Sequence, residues 1–203
     1  MSRYNVKEFI KSQSSGWPQI FDKPVVGLDR DGTIIKDMGD YITSPSQVTP
    51  LPGSLEAIKQ LRLKGHKLVI LTNQAGISKG LQTTQQVDNV HKHLMDIFGQ
   101  NGIQSIEGIY YSTSNTKEDI YAKPNIGMFT RAKEEVKVDW KKGWYVGDKI
   151  SDLKAADKAG AKPVLVLTGH GQETLEKLNT YANRDLKKKT LVFNNLLEFV
   201  STL

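Results

Sequence analysis

Cysteine is absent from this 203-residue chain, which excludes disulfides and thiolate metal sites and fits a reducing compartment. No apolar run is long enough to cross a bilayer, and the start lacks the basic-then-apolar layout of a secretory leader. The expectation is a cytoplasmic protein with no membrane partner. Histidine is scarce, at four residues. His91 and His93 are two apart on a predicted helix and do not share a face, so both are expected on the surface rather than on a metal. His66 falls in a turn before a strand, and Trp17, Trp140 and Trp144 read as packing residues. There is no internal repeat or low-complexity tract. Gly147-Asp148-Lys149 lacks the upstream glycine spacing of a nucleotide P-loop.

Acidic residues are in deficit, 22 against 28 Lys and Arg, for a net charge of +6. Such a balance suits an anionic substrate or nucleic acid. The local run Lys187-Lys188-Lys189 has no interleaved aromatic residue and reads as a solvated face. At 38% hydrophobic and 25% charged, the chain has the composition of a globular protein with room for one α/β domain.

Residues 1–23 are polar and read as an N-terminal extension, wrapped on the domain or partly loose, with the domain itself at 24–203. From Pro24, short apolar runs alternate with amphipathic stretches. Strands are predicted at Val25–Leu28, Leu68–Leu71, Gly108–Tyr111, Trp144–Val146, Val164–Leu167 and Leu191–Phe193. Helices are predicted at Ser54–Leu63, Thr84–Phe98, Gly127–Val136, Ser151–Ala159, Glu173–Leu178 and Leu196–Ser201. Ser54 and Thr83 suit N-caps, Thr83 with Gln86 matches a capping box, and Gly65 and Gly160 suit left-handed helix ends. This alternation predicts a mostly parallel sheet covered on both faces. Ligands in such sheets bind at the carboxyl ends of the strands.

The residues just after each strand form a chemical set. Asp29 and Asp31 follow the first, and a carboxylate pair held close favours a hard divalent cation. Thr72, Asn73 and Gln74 follow the second. A polar loop ending in Lys123-Pro124 follows the third, and Asp148, Lys149 and Asp152 follow the fourth. Singly, each has a structural explanation. Asp-Gly-Thr is a turn, Thr72-Asn73 and Asp148/Asp152 suit caps, and Lys123 suits an exposed extended stretch. Together, all due on one rim, they point to catalysis.

In this order the clusters resemble the haloacid dehalogenase superfamily. Asp29-Arg30-Asp31-Gly32-Thr33 matches its first motif, Thr72 the second, Lys123 the third, and Gly147-Asp148 with Asp152 the fourth. Leu71–Ile77, Gly108–Tyr111, Val146–Lys149 and Thr168–Thr174 resemble the heptose 1,7-bisphosphate 7-phosphatase branch. Histidinol-phosphate phosphatases and nucleic-acid 3′-phosphatases are near relatives of it. The resemblance implies a Rossmann-like three-layer α/β/α fold with a mostly parallel sheet and no large cap domain, since neither gap that would hold one is long enough. It implies a Mg²⁺-dependent phosphatase in which Asp29 is the nucleophile and Asp31 the acid/base. Magnesium would sit on Asp29, the Asp31 main-chain carbonyl and Asp148. Thr72 and Lys123 would hold the phosphoryl group, and Asn73 would bridge substrate or nucleophile. Asp152 would steady Lys123 or metal-bound water, and Asp37 and Tyr41 would touch a sugar. Lys149 stays open between substrate and solvent, and His170 is expected off the rim. The partner implied is a small phosphorylated sugar bound by a monomer. A nucleic-acid 3′-phosphatase and a non-catalytic phosphate-binding domain are the alternatives.

Two departures stand out. The heptose enzymes carry a zinc loop of cysteines and histidine before the third motif. Here Ser112, Ser114, Asp119 and Tyr121 stand in roughly those places, so no zinc is expected. An arginine that precedes the motif lysine in that branch is Ala122 here.

Overall fold

The computed structural model describes the main chain of Ser2–Tyr4 and residues 23–203 apart from residue 115. In chain order the elements are β1 (Ser2–Tyr4), β2 (Lys23–Leu28), α1 (Ser54–Leu63), β3 (His66–Asn73), α2 (Thr84–Gln100), β4 (Gly108–Ser112) and α3 (Gly127–Val136). They continue with β5 (Trp144–Gly147), α4 (Ile150–Ala159), β6 (Lys162–Val166), α5 (Gly171–Leu178), α6 (Arg184–Lys189), β7 (Leu191–Phe193) and α7 (Leu196–Ser201). The strands form one sheet in the order β1-β4-β3-β2-β5-β6-β7. Every neighbouring pair is parallel except β1 with β4, in which Ser2 faces Tyr111 and Tyr4 faces Ile109.

Alternation along the strands divides the core in two. Val26, Leu28, Leu68, Ile70 and Val146 pack with Ile58, Leu94, Phe98 and Phe199 of α1, α2 and α7. Val25, Val69, Leu71, Tyr110 and Tyr145 pack with Phe129, Ala132 and Ala155 of α3 and α4 on the opposite face. Successive strand residues point to opposite faces, so a sheet buried on both sides needs this apolar continuity. The three-layer α/β/α expectation holds. The chain leaves β2 toward β3 and β4 on one side, and β5 to β7 lie on the other. The carboxyl end of β2 thus lies at the reversal point where ligands bind.

Thr83 caps α2 as expected. Its hydroxyl accepts from the Gln86 amide N–H at 3.2 Å, and the Gln86 side chain accepts from Thr83 N–H at 2.8 Å. Ser54 is not a cap. Gly53, with φ +75°, takes that position and Ser54 is the first helical residue. The two ends of the extension join the sheet. Lys23 opens β2 and Ser2–Tyr4 forms an edge strand, while residues 5–22, Trp17 among them, lie outside the described residues. The largest correction is His91. It is fully buried on the inner face of α2, not on the surface, because it shares the stripe of Val87, Val90, Leu94, Met95 and Phe98. His66 is likewise buried and begins β3, with Nδ1 2.7 Å from the Pro24 carbonyl. Among the described residues no helix is long and apolar enough to cross a membrane.

Candidate active site

Asp29 leaves the end of β2 with its N–H on the Val146 carbonyl of β5 at 2.9 Å. That bond holds its carboxylate over the centre of the sheet, buried. Lys123, brought in by the loop after β4, places its ammonium 2.9 Å from Asp29 Oδ1 and 2.6 Å from Asp152 Oδ1. Neither contact is an aligned hydrogen bond. The ammonium instead donates to the Leu71 carbonyl and the Tyr145 hydroxyl, each at 2.9 Å. Burial alone would depress the Lys123 pKa, but the Asp152 and Asp29 carboxylates outweigh it and hold it well above the usual value. Lys123 is a fixed cation.

Asp148, at the end of β5, completes the set. Oxygens of Asp29, Asp148 and Asp152 lie within 4.8 Å of one another. Asp148 Oδ2 accepts from the His170 main-chain N–H at 2.8 Å, while its buried Oδ1 has no hydrogen-bond partner. Burial, then the nearby Asp29 and Asp152 charges, push its pKa up to about 8. Such an uncompensated oxygen among carboxylates fits a hard divalent cation, which takes oxygen ligands and relieves their repulsion. Close packing around Asp148 demands small neighbours. Gly32 has φ +81°, and a Cβ there would overlap the Asp148 carboxylate. The same is true of Gly169, with φ +56°.

Asp31 lies across the turn, braced by neighbouring side chains. Arg30 Nε is 3.1 Å and 3.2 Å from its two carboxylate oxygens, and Nη2 is 3.0 Å from Oδ2. The Gln74 amide links Asp31 to Thr72, donating to Asp31 Oδ2 at 3.0 Å and to the Thr72 hydroxyl at 2.9 Å. Asn73 is tied to Lys123 at both ends. Its Nδ2 donates to the Lys123 carbonyl at 3.1 Å, and its Oδ1 accepts from the Lys123 N–H at 3.0 Å. Its amide therefore fixes the main chain that carries the lysine. Asp152 does two jobs from the first turn of α4. Oδ1 faces Lys123, and Oδ2 accepts from the Lys149 N–H at 2.9 Å as a cap.

Beside these groups opens a cleft of about 320 Å³ lined by Asp31, Asp37, Tyr41, Asn73, Lys149 and His170. Lys149 donates to Asp37 Oδ2 at 3.0 Å, and His170 Nε2 is 3.3 Å from the same oxygen. His170 therefore reaches the rim, contrary to expectation, because Gly169 lets the β6–α5 loop fold in over Asp148. Burial raises the Asp37 pKa, but the Gly39 N–H, Lys149 and His170 together hold it below the usual value. In the loop before Lys123, Ser112 Oγ contacts Asp119 Oδ2 at 2.6 Å, and Ala122 is buried with no polar side chain to offer. A larger groove of about 720 Å³, lined by Ile120, Tyr121, Ile126, Arg131, Glu134 and Glu135, contains none of Asp29, Asp31, Asp148 and Asp152.

Of the predicted residues, Asp29, Lys123, Asp148 and Asp152 meet directly, Asn73 adjoins them through the Lys123 main chain, and Asp31 and Thr72 are joined to each other through Gln74. Asp37, Tyr41 and Lys149 line the cleft. Arg30, Gln74 and His91 were missed as a unit. The helical period that buries His91 was the available signal.

A family model described as polynucleotide kinase 3 phosphatase matches residues 24–189. A D-glycero-beta-D-manno-heptose-1,7-bisphosphate 7-phosphatase of Neisseria meningitidis serogroup A is 34% identical over 173 residues, covering 85% of this chain and 90% of that protein. The protein of the same name from Pseudomonas aeruginosa is 35% identical over 176 residues, covering 87% and 95%. Among solved structures, the D,D-heptose 1,7-bisphosphate phosphatase from B. bronchiseptica, complexed with magnesium and phosphate, superposes with a TM-score of 0.78. It is 30% identical, and the match covers 89% of this chain and 97% of that one.

Proposed function

The chain belongs to the polynucleotide kinase 3 phosphatase family, among the haloacid dehalogenase phosphatases, and on that premise we propose that it is a magnesium-dependent sugar-phosphate phosphatase removing the 7-phosphate of a heptose 1,7-bisphosphate. One observation carries the chemistry. A buried carboxylate, Asp29, lies 2.9 Å from a fixed ammonium and beside Asp148, whose Oδ1 lacks a hydrogen bond. The substrate rests on the relatives of that name, matched over most of their length. The proposal extends to a monomer working in the cytoplasm.

In the first step an oxygen of Asp29 forms a bond to phosphorus as the bond to the sugar oxygen breaks. Asp31 gives its proton to that departing oxygen. In the second step water attacks phosphorus, the acyl-phosphate bond breaks, and Asp31 takes the proton back. Inorganic phosphate leaves and Asp29 is restored. Covalent catalysis of this kind replaces one hard hydrolysis with two easier steps, and positioned proton transfer adds about 10²–10⁴-fold. Lys123 and the Thr72 hydroxyl hold the phosphoryl oxygens and stabilise the charge that develops there. Asp152 and Asn73 keep Lys123 in place. Asp37, Tyr41 and Lys149 meet the sugar hydroxyls in the cleft. Magnesium on Asp29, Asp148 and the Asp31 main-chain carbonyl would screen the repulsion between the nucleophile and an anionic phosphate.

The test is phosphate release, with and without magnesium, from heptose bisphosphates, histidinol phosphate and 3′-phosphorylated oligonucleotides. Heptose 1,7-bisphosphate is expected to give the highest kcat/KM, with loss of the 7-phosphate. The description of the matching family favours one other outcome, in which the oligonucleotide leads and binding falls steeply with salt. That result would overturn the sugar assignment and leave the chemistry standing. No release from any of these substrates would overturn both.

A further inference from the structure

We propose that His91 and Gln74 are positioning residues for Asp31, acting through the buried guanidinium of Arg30. The inference rests on the phosphatase reading above and names what aims its proton-transfer group. Arg30 is only 1% exposed, rare for a charged fork. Nη1 is 2.9 Å from His91 Nε2, and Nη2 donates to Gln74 Oε1 at 3.0 Å. The remaining face of the fork grips Asp31.

A guanidinium only donates, so His91 Nε2 accepts and the ring proton sits on Nδ1. Burial, and then the Arg30 charge, hold the His91 pKa well below its usual value, which keeps the imidazole a neutral acceptor. His91 is itself anchored. Its ring lies 5.2 Å from the Tyr111 ring on β4, and Tyr111 donates to Asp88 of α2 at 2.8 Å. Helix α2 and strand β4 therefore set His91, His91 sets one arm of the fork, and Gln74 sets the other. Gln74 also donates directly to Asp31 Oδ2. With Oδ2 taking both Arg30 and Gln74, Oδ1 is left with one donor and has the lone-pair capacity to carry the proton. A neighbouring Arg–Asp pair on an open surface would move freely. Here braces from two other elements remove that freedom.

The test uses p-nitrophenyl phosphate with magnesium. Nitrophenolate departs without needing a proton, so the first step hardly depends on Asp31. The second step, attack by water, still does. His91→Leu removes the acceptor, and His91→Gln returns one as an amide oxygen. For His91→Leu, kcat is expected to fall about 10–100-fold, part of the usual acid/base contribution, with KM falling in step so that kcat/KM stays within about twofold. Rapid quench should show a nitrophenolate burst approaching one equivalent of enzyme, larger than in the wild type. His91→Gln should recover most of kcat and shrink the burst. If His91→Leu does not fold, Gln74→Met removes the other brace and must give the same burst. A kcat within about twofold of wild type, a fall without a burst, or no recovery in His91→Gln would overturn the inference while the phosphatase reading stands. A wild type that releases no nitrophenolate or phosphate would overturn both.

Discussion

Lys123→Met tests whether one ammonium holds the carboxylate cluster together. Methionine keeps most of the length and apolar stem but removes the charge that faces Asp29 at 2.9 Å and Asp152 at 2.6 Å. Lys123 is fully enclosed, so solvent cannot replace it. Removing one partner of a buried ion pair costs about 3–5 kcal/mol, because the other charge is left buried and uncompensated. For a chain of this size that is a fall of about 6–20 °C in Tm. The loss should depend on pH. Burial already raises the Asp152 pKa, and Lys123 is what opposes that rise. Without the lysine the carboxyl goes higher still. A raised acid stabilises the fold below its unfolded pKa and loses that contribution as pH climbs through the folded one. The variant should therefore trail the wild type most at pH 8 and least near pH 5. Urea unfolding of both proteins without magnesium, at each pH, measures the difference, and adding Asp152→Asn to the variant should restore part of it. A deficit below about 1 kcal/mol at pH 8, or one that widens toward pH 5, would refute the reasoning.

Asp29→Asn is expected to cut magnesium-dependent phosphate release by more than about 10³-fold with an unchanged circular dichroism spectrum; turnover near wild type would remove Asp29 as the nucleophile. Gly32→Ala places a Cβ at φ +81° against the Asp148 carboxylate, so a loss of at least about 1–2 kcal/mol from backbone strain alone is expected, together with weakened magnesium binding; calorimetric titration and thermal melts check both.

How much of this was legible in the sequence depended on whether the deciding contact was local. The strands showed as apolar runs because both faces of the sheet are buried. Thr83–Gln86 showed as a cap because its partners are three residues apart. Helix α6 was missed because Leu186 is its sole buried residue and the rest reads as charge. Strand β1 is three polar or aromatic residues whose reason for being extended is a pairing with β4 far along the chain. Ser54 misled because hydroxyl preference was weighed without the left-handed turn at Gly53. Lys123 has nothing in Ala-Lys-Pro to announce burial, and its place after the third strand together with its match to a motif singled it out. The tie between Asn73 and the Lys123 main chain was not legible because its partners are far apart along the chain. His91 followed from periodicity that went unused. His91 and His93 do lie on different faces of α2, and the stripe of Val87, Val90, Leu94 and Phe98 marks the face of His91 as the inward one.

The carboxylate cluster has a consequence for how magnesium should bind. Three aspartates within 4.8 Å of one another face one ammonium, so full ionisation would bury two negative charges in excess. A proton relieves this, and the group whose pKa is raised to about 8 is Asp148. Asp152, whose pKa burial also raises, lies in the same field, so the proton belongs to that pair as much as to one oxygen. A divalent cation offers a second form of relief at the same oxygens, and ligands must shed protons to hold it. Magnesium binding at pH 7 should therefore release the greater part of one proton, and almost none above pH 9. The same linkage makes the rise in Tm on adding magnesium larger at pH 8 than at pH 6, since the metal-free fold loses stability as Asp148 ionises. Titration calorimetry in buffers of differing ionisation enthalpy reads the proton directly. A binding heat at pH 7 that is the same in every buffer would mean that Asp148 is already charged before the metal arrives, and that some cation other than Lys123 balances the cluster.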